Sequence, residues 1–203
     1  MNAFHESASV ITATADQCGS DIERAAQLCI DVIKAGGKLL ICGNGGSAAE
    51  AQHMTAELVV RLRSDNDRPA IAAICLNADT GVLTACANDY GYERVFARQV
   101  EALARQGDVL VCLSTSGDSD NIIKACWEAA GSDFDVSIIA ITGQGAGRRT
   151  GAIGGDIRPL GDVHITIPST DTARIQEATL VVIHELCRMT EEGCMKNLTT
   201  KSR

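Results

Sequence analysis

The sequence lacks the features that mark nucleic-acid-binding, membrane and secreted proteins. Its 26 acidic residues outnumber its 18 basic residues, giving a net charge of −8, and no basic cluster offsets that total. We therefore expect neither nucleic acid nor an anionic membrane as a partner. No apolar stretch approaches the ~18 residues that span a membrane. The N-terminus has no basic stretch followed by an apolar one, which a secretory signal would need.

The nine cysteines include no Cys-x-x-Cys pair, which excludes a zinc ribbon or a thioredoxin-type site. Their number is odd, and most lie inside apolar runs, as Cys29, Cys42 and Cys112 do. This pattern is typical of small buried hydrophobic side chains that stay reduced. We therefore expect a soluble protein of the cytoplasm.

The length of 203 residues predicts one large domain with a sizeable core. Apolar residues recur every three to four positions in the first part of the chain, and Gly36 follows as a stop signal. Residues 1–36 are therefore predicted to be a helical segment that packs on the core or on a partner subunit. The main domain is predicted to span 37–192, and residues 193–203 to form a mobile tail.

From residue 38 onward, short apolar runs alternate with segments of helical period. The five runs are predicted to be strands: 38–42, 70–75, 108–112, 136–141 and 163–167. This alternation indicates an α/β fold, in which helices cover both faces of a doubly wound, parallel five-stranded sheet. The glycine-rich segment 143–161 is predicted to be a loop or a short frayed helix. A last helix over 172–189 is apolar enough to pack between subunits.

A glycine-rich stretch, residues 43–50, follows the first predicted strand and opens a helix. Its glycines let the backbone approach a ligand, and we expect Ser47 and Glu50 to form a capping box beside N–H groups that face anions. The stretch also matches a dinucleotide fingerprint, but weakly, because Asn77 stands where a ribose-binding acid would be expected. A Walker loop is excluded because no lysine follows the glycines. We expect no nucleotide cofactor.

A hydroxyl-rich loop follows the third predicted strand and opens a helix at Asp120. Its four hydroxyl residues are Ser114, Thr115, Ser116 and Ser119. Together with a helix N-terminus, such hydroxyls suit a phosphate monoester. A Ser/Thr-rich turn with an N-cap is the ordinary alternative. Two such loops at the carboxyl ends of parallel strands favour a ligand site, because doubly wound sheets bind ligands at that edge.

Three titratable residues on two predicted helices are candidates for acid–base or metal chemistry. His53 and Glu57 lie one turn apart on the helix that the glycine loop opens, a spacing that suits a metal pair, an acid–base pair or a surface hydrogen bond. His184 lies among apolar residues of the last helix. Such a histidine is commonly a core residue whose hydrogen bonds are satisfied. An imidazole held in apolar surroundings near a carboxylate can also serve as a general acid or base.

These motifs together resemble the sugar isomerase (SIS) domain family, and within it the phosphoheptose isomerases. The matching stretches are residues 43–57, 87–92, 107–117 and 173–177, with His184, and the likeness covers nearly all of the chain from about residue 20. It implies the SIS fold, a flavodoxin-like sheet. It also implies isomerisation of sedoheptulose 7-phosphate to D-glycero-D-manno-heptose 7-phosphate through an enediol, towards lipopolysaccharide or capsule heptose.

The resemblance also implies roles for individual residues. Glu57 and His184 match the acid–base pair that moves a proton between C1 and C2. The residues expected at the phosphate are Ser47, Ser114, Thr115, Ser116 and Ser119. Those expected around the sugar are Arg61, Asp89 and Gln176, and the other expected substrate contacts are Asn44, Gly45, Gly46 and Asn88.

A metal and an assembly are further implications of the resemblance. Some relatives carry Zn²⁺ at the positions of His53, Glu57, Gln176 and His184. Gln176 and His184 are eight residues apart, roughly 12 Å along one helix, so one ion would need either two subunits or a distorted helix to reach both. The family likeness points to a homotetramer with sites at subunit contacts.

Three alternatives share this fold. A close relative is a non-catalytic binding protein for the bacterial replication initiator, but it lacks the glutamate that matches Glu57. Regulators that sense sugar phosphates carry a DNA-binding domain, for which this chain is not expected to have room. An isomerase for another sugar phosphate stays open within the enzyme class.

Overall fold

The computed structural model describes residues 2–131, 136–145, 157 and 160–195, and within them the predicted α/β fold is confirmed. Five strands form one sheet in the order β2-β1-β3-β4-β5, and every neighbouring pair is parallel. This is the flavodoxin-like order. The strands are β1 (Leu39–Gly43), β2 (Ala73–Cys75), β3 (Val109–Ser114), β4 (Ser137–Gly143) and β5 (Val163–Ile167).

Helices cover both faces of this sheet. They are α1 (Asn2–Ala35), α2 (Gly46–Val59), α3 (Thr80–Tyr90), α4 (Ala97–Leu103), α5 (Asp120–Gly131) and α6 (Thr172–Met195). Because successive strand side chains point to opposite faces, Leu39 and Ile41 pack under α1, α2 and α6. Leu40 and Cys42 join the second core, beside α4 and α5. Both faces of β1 are thus fully buried, which explains its uninterrupted apolar run.

The predicted N-terminal helical segment is a single helix of 34 residues, α1. It packs along α6 and across β5 through small buried side chains such as Ala25, Ala26 and Cys29. Small residues let the two helix axes approach closely. The first helix therefore contributes to the same core as the sheet.

Two element boundaries differ from the predictions by more than two residues. Strand β2 is three residues long and begins at Ala73, where its pairing with Leu39 begins. Helix α6 continues to Met195, so the predicted tail overlaps its last turn, and 196–203 lie outside the described residues. Most of the predicted 143–161 loop also lies outside them.

All nine cysteines are free thiols, and eight of them are buried. Burial raises the pKa of Cys29 to about 12, so its thiol stays protonated and unreactive at neutral pH. Within the described ranges, no helix is long and apolar enough to cross a membrane.

Candidate active site

The glycine loop links β1 to α2 at the edge where the parallel strands end. Gly45 has a positive φ of 57° and is the N-cap of α2, a conformation that side chains disfavour. Asn77 braces the loop from β2, because its side-chain amide donates to the Gly43 carbonyl at 2.8 Å and accepts from the Gly43 N–H at 3.2 Å. These hydrogen bonds fix the backbone of the loop, and with it the direction in which the first N–H groups of α2 point.

The predicted capping box of Ser47 and Glu50 is wrong. The N-cap lies two residues earlier, at Gly45, which makes no side-chain hydrogen bond, and the helix begins at Gly46. Both side chains instead lie within the first turns of α2 and are buried, and Oε2 of Glu50 has no hydrogen-bond partner. Burial raises the pKa of Glu50 to about 7, although a hydrogen bond with Ser47 opposes that shift.

The hydroxyl loop follows β3 and precedes α5, as predicted. Ser114 is buried, its Oγ accepts from the Gly117 N–H at 3.1 Å, and it lies 3.3 Å from the Ser119 Oγ. Gly117 has a positive φ of 67°. This tight turn directs N–H groups and hydroxyls at the start of α5 towards the same edge as the glycine loop.

Two asparagines join the glycine loop to the hydroxyl loop. Asn44 and Asn121 exchange two amide hydrogen bonds, each of 2.8 Å, and the Tyr92 hydroxyl donates to Oδ1 of Asn44 at 3.2 Å. Because β1 and β3 are neighbours, two helix N-termini lie side by side here. Helix N-termini with adjacent hydroxyls form an anion site that needs no cation.

The candidate acid–base residues meet between α2 and α6. His53 Nε2 lies 2.8 Å from His184 Nε2 and 3.6 Å from a carboxylate oxygen of Glu57. The two imidazole rings meet edge to face, with centroids 5.0 Å apart. The Glu57 side chain is 19% exposed and that of His53 is 39% exposed, so the cluster is open on one side. Two imidazoles and a carboxylate can exchange protons with a ligand at that opening.

Gln176 contacts α2 at its opposite end. A Cβ atom added to Gly46 would overlap the Gln176 amide, so this side chain lies directly against the α2 backbone. Gly46 and His53 are seven residues apart, about 10 Å along α2. Gln176 therefore lies beside the glycine loop, and α6 is continuous between it and His184.

Three predicted substrate residues lie apart from this cluster in the single chain. Arg61 is exposed just beyond α2, and Asn88 and Asp89 are exposed on α3, where the Asn88 amide donates to Asp89 at 2.8 Å. None of the hydrogen bonds or ion pairs within the described ranges links them to the loops or to His184.

Comparison with known proteins decides the family. Residues 4–143 match the SIS domain family model. The chain is 46% identical to a phosphoheptose isomerase of Helicobacter hepaticus over 179 residues, which are 88% of this chain and 85% of that protein. It therefore belongs to the phosphoheptose isomerases of the SIS domain family.

Solved structures agree with this assignment. The phosphoheptose isomerase of Neisseria gonorrhoeae superposes with a TM-score of 0.81 at 38% identity, covering 94% of this chain and 96% of that one. That of Francisella tularensis gives 0.83 at 35% identity, covering 94% and 95%. The likeness thus includes both the sheet and the helices that carry the site.

A groove of about 570 Å³ runs between α1 and α6, and His184 is one of the residues that line it. Leu180 and Val181 are 37% and 44% exposed on α6, and Val181 lines this groove. The other lining residues include Ile11, Ala15, Ile22, Val182 and Met189. An apolar face of this kind, next to the site, is typical of an interaction surface.

His53, Glu57 and His184 are residue types that bind metals, but the distance between the two histidine nitrogens is that of a hydrogen bond. Two imidazole nitrogens and a carboxylate are ligands that Zn²⁺ prefers. Ring nitrogens that share a tetrahedral ion lie roughly 3.3 Å apart, against the 2.8 Å between His53 and His184. Over the part of the chain that the structure describes, no group of three or more His, Cys, Asp or Glu side chains meets the spacing of a metal site.

Sequence reasoning missed several supporting residues of the site. Asn121 and Tyr92 brace the glycine loop through Asn44, and Arg68 and Glu191 form an ion pair near the end of α2. The available signal for Asn121 was its position in the first turn of α5, directly after the hydroxyl loop. The ion pair joins residues 123 positions apart, and no local pattern predicts such pairing.

Proposed function

We propose that this chain is an aldose–ketose isomerase that converts sedoheptulose 7-phosphate to D-glycero-D-manno-heptose 7-phosphate in heptose biosynthesis. The observation that carries the proposal is the meeting of His53, Glu57 and His184 on helices that border a double phosphate loop. The phosphoheptose isomerases to which the chain is similar fix the substrate class.

Substrate binding begins at the phosphate. The N-termini of α2 and α5, with Ser47, Ser114 and Ser116, hold the phosphate end through N–H and hydroxyl donors. Gln176 lies beside Gly46, where it can donate to a sugar hydroxyl. A phosphate held at one end places the carbonyl end of an extended heptose along α2, towards the cluster.

The reaction moves one proton between two carbons and one between two oxygens. The Glu57 carboxylate takes a proton from C1, the C–H electrons form the C1–C2 double bond, and His184 gives a proton to the C2 oxygen. The resulting enediol then returns its O1 proton to His184, while Glu57 delivers its proton to C2. Both groups end in their starting states, so no redox cofactor is required.

Zinc is part of the proposal. His53, Glu57 and His184 would hold it. The Gln176 side chain of the same chain lies against Gly46, at the other end of α2, so a Gln176 ligand would have to come from another subunit. When bound, Zn²⁺ supplies a Lewis acid that polarises the substrate oxygens. Metal analysis that gives well under one zinc per chain, with full activity after chelation, would refute this part.

A homotetramer with sites at subunit contacts completes the proposal. Arg61 and Asp89 are expected at the sugar, yet both are exposed and apart from the cluster in one chain. The apolar groove beside His184 offers the contact surface. A closed symmetric assembly would bury that surface and supply these residues from a neighbouring copy.

An NMR assay tests the substrate assignment. Purified protein is incubated with sedoheptulose 7-phosphate and, in parallel, with fructose 6-phosphate and ribulose 5-phosphate. We expect an aldose anomeric signal to grow only from the heptulose. Conversion of a shorter sugar phosphate at a greater rate would identify an isomerase of different specificity. No conversion of any of the three would favour a binding protein.

A further inference from the structure

The C-terminal end of α2 carries the proposed base, Glu57, two residues before the helix ends at Val59. The last carbonyls of a helix have no partner within it. Here the chain that returns from α2 supplies them: the Arg68 guanidinium donates to the Glu57 carbonyl at 2.7 Å, and the Ile71 N–H donates to the Leu58 carbonyl at 3.1 Å. A guanidinium also complements the negative end of the helix dipole.

The same guanidinium forms an ion pair with α6. Arg68 Nη2 lies 2.6 Å from a carboxylate oxygen of Glu191, and the two side chains are only 1% and 2% exposed. Glu191 also accepts from the Leu62 N–H at 3.0 Å and from the Asn66 amide at 3.1 Å. A buried carboxylate with this many donors has its charge fully compensated.

Glu191 lies seven residues after His184 on α6, which places both on one helical face two turns apart. Arg68 therefore connects the backbone of the proposed base to the helix of the proposed acid. The connection is polar, fully buried and short at both ends. It fixes the position of the α2 end along α6 more narrowly than apolar contacts would, because hydrogen bonds constrain both distance and direction.

We propose that Arg68 and Glu191 are positioning residues, which hold Glu57 at the correct distance from His184 without touching substrate. This inference rests on the proposed function, since it assigns the two residues to the geometry of that reaction. A displacement of about 1 Å in a reacting group can cost 10²-fold in rate. Neither residue lies at the phosphate loops, so substrate affinity should not depend on them.

The test removes both charges together, because removal of one alone would leave the other buried and unpaired. In the variant Arg68→Met/Glu191→Leu, we expect kcat for sedoheptulose 7-phosphate to fall about 10- to 100-fold and KM to stay within about twofold of wild type. Arg68→Lys is the second variant. Its single ammonium keeps the charge but cannot reproduce the fork that reaches both partners, so kcat should again fall at constant KM.

The matched control is the Lys38–Asp108 ion pair, which joins the residues that directly precede β1 and β3. Its atoms are 2.5 Å apart and the Asp108 side chain is 2% exposed. Lys38→Met/Asp108→Leu removes a comparable pair, and we expect its kcat to stay within about twofold even where the melting temperature falls. All variants are checked for native circular dichroism before assay.

The outcomes separate this inference from the proposed function. Wild-type kcat in a folded Arg68→Met/Glu191→Leu variant would overturn the positioning role alone, as would an equal loss in the Lys38/Asp108 control. If the double variant does not fold, wild-type kcat in Arg68→Lys overturns it instead. A wild-type protein that does not convert the heptulose would overturn the proposed function, and the positioning role with it.

Discussion

Glu50, which follows the glycine loop on α2, carries a carboxyl group whose ionisation is governed by burial. Its carboxyl is buried in the first turns of α2, and one oxygen has no hydrogen-bond partner. Burial raises the pKa of Glu50 from 4.5 to about 7. The protonated form is therefore favoured in the folded chain, and ionisation costs stability.

This shift predicts a pH-dependent effect of Glu50→Gln. The unfolded chain releases the Glu50 proton near its ordinary pKa of 4.5, whereas the folded chain keeps it up to about 7. The wild type therefore loses stability between about pH 4.5 and 7, relative to a variant without this carboxyl. The advantage of Glu50→Gln should grow by about 1–3 kcal/mol over that interval. Urea unfolding at pH 4.5, 6 and 8 measures it, and a constant difference would refute the prediction.

Ser116 tests the phosphate assignment. If its hydroxyl donates to the phosphate, Ser116→Ala removes a hydrogen bond to a charged group, worth about 1.5–3 kcal/mol. We expect KM to rise roughly 10- to 100-fold with little change in kcat, because the loss is in binding. Ser137→Ala, at the far end of β4, is the control. An unchanged KM in Ser116→Ala would remove this hydroxyl from the site.

At the scale of elements, the contact between α2 and α6 decides the geometry of the site. The Gln176 side chain lies against Gly46, and the histidine pair follows about two turns later on each helix. The second contact follows the first in the chain direction of both helices, so α2 and α6 run parallel here. Separation of the helices at one end would therefore change the alignment at the other.

Gly46→Ala tests this close approach. The backbone at Gly46 does not have a positive φ, so alanine brings no backbone strain, but its Cβ would overlap the Gln176 amide. The overlapped atoms are the far end of a flexible side chain that can turn away, so we expect a loss at the lower end of the usual cost of overpacking, about 1 kcal/mol in the free energy of unfolding. Gly131→Ala is the control, because a Cβ there meets nothing within 4 Å. Equal stability of the two variants would contradict the proposed contact.

The elements also show what the sequence could predict. Strand β5 was predicted exactly and the others within a few residues, because runs buried on both faces are apolar throughout. The end of α6 was placed six residues early, at 189, because polar residues follow Met189. One of them, Glu191, is buried through its pairing with Arg68. A pairing between distant residues of this kind overrides the local sequence pattern. The predicted capping box is wrong for a different reason, because Gly45, with its positive φ, is the N-cap in place of Ser47.

At the scale of the whole molecule, the single chain leaves the predicted site incomplete. The motifs predicted which residues of one chain would meet, and His53, Glu57 and His184 do so. Arg61 and Asp89 do not join them. The role of these two residues in a site shared between subunits stays a prediction. A contact between copies leaves no periodic pattern in one sequence, and its only sign there is an excess of apolar surface.

Val181 offers a test of assembly through that surface. It is 44% exposed on α6 and lines the groove beside His184. We expect the wild type to sediment as a tetramer, and Val181→Glu to dissociate it because a buried, unpaired carboxylate is costly. Val181→Ala keeps the position apolar and should preserve the assembly. A wild type that sediments as a fully active monomer would refute the shared site.

Isomerisation in D₂O tests whether Glu57 transfers a proton through an enediol. Proton transfer by a side chain allows exchange with solvent, so wild-type product should carry deuterium at C2, measured by NMR. Glu57→Gln keeps the shape but lacks the base, and we expect both its turnover and its deuterium incorporation to fall by about 10²- to 10⁴-fold. Turnover and deuterium incorporation at the wild-type rate in Glu57→Gln would show that Glu57 is not the base.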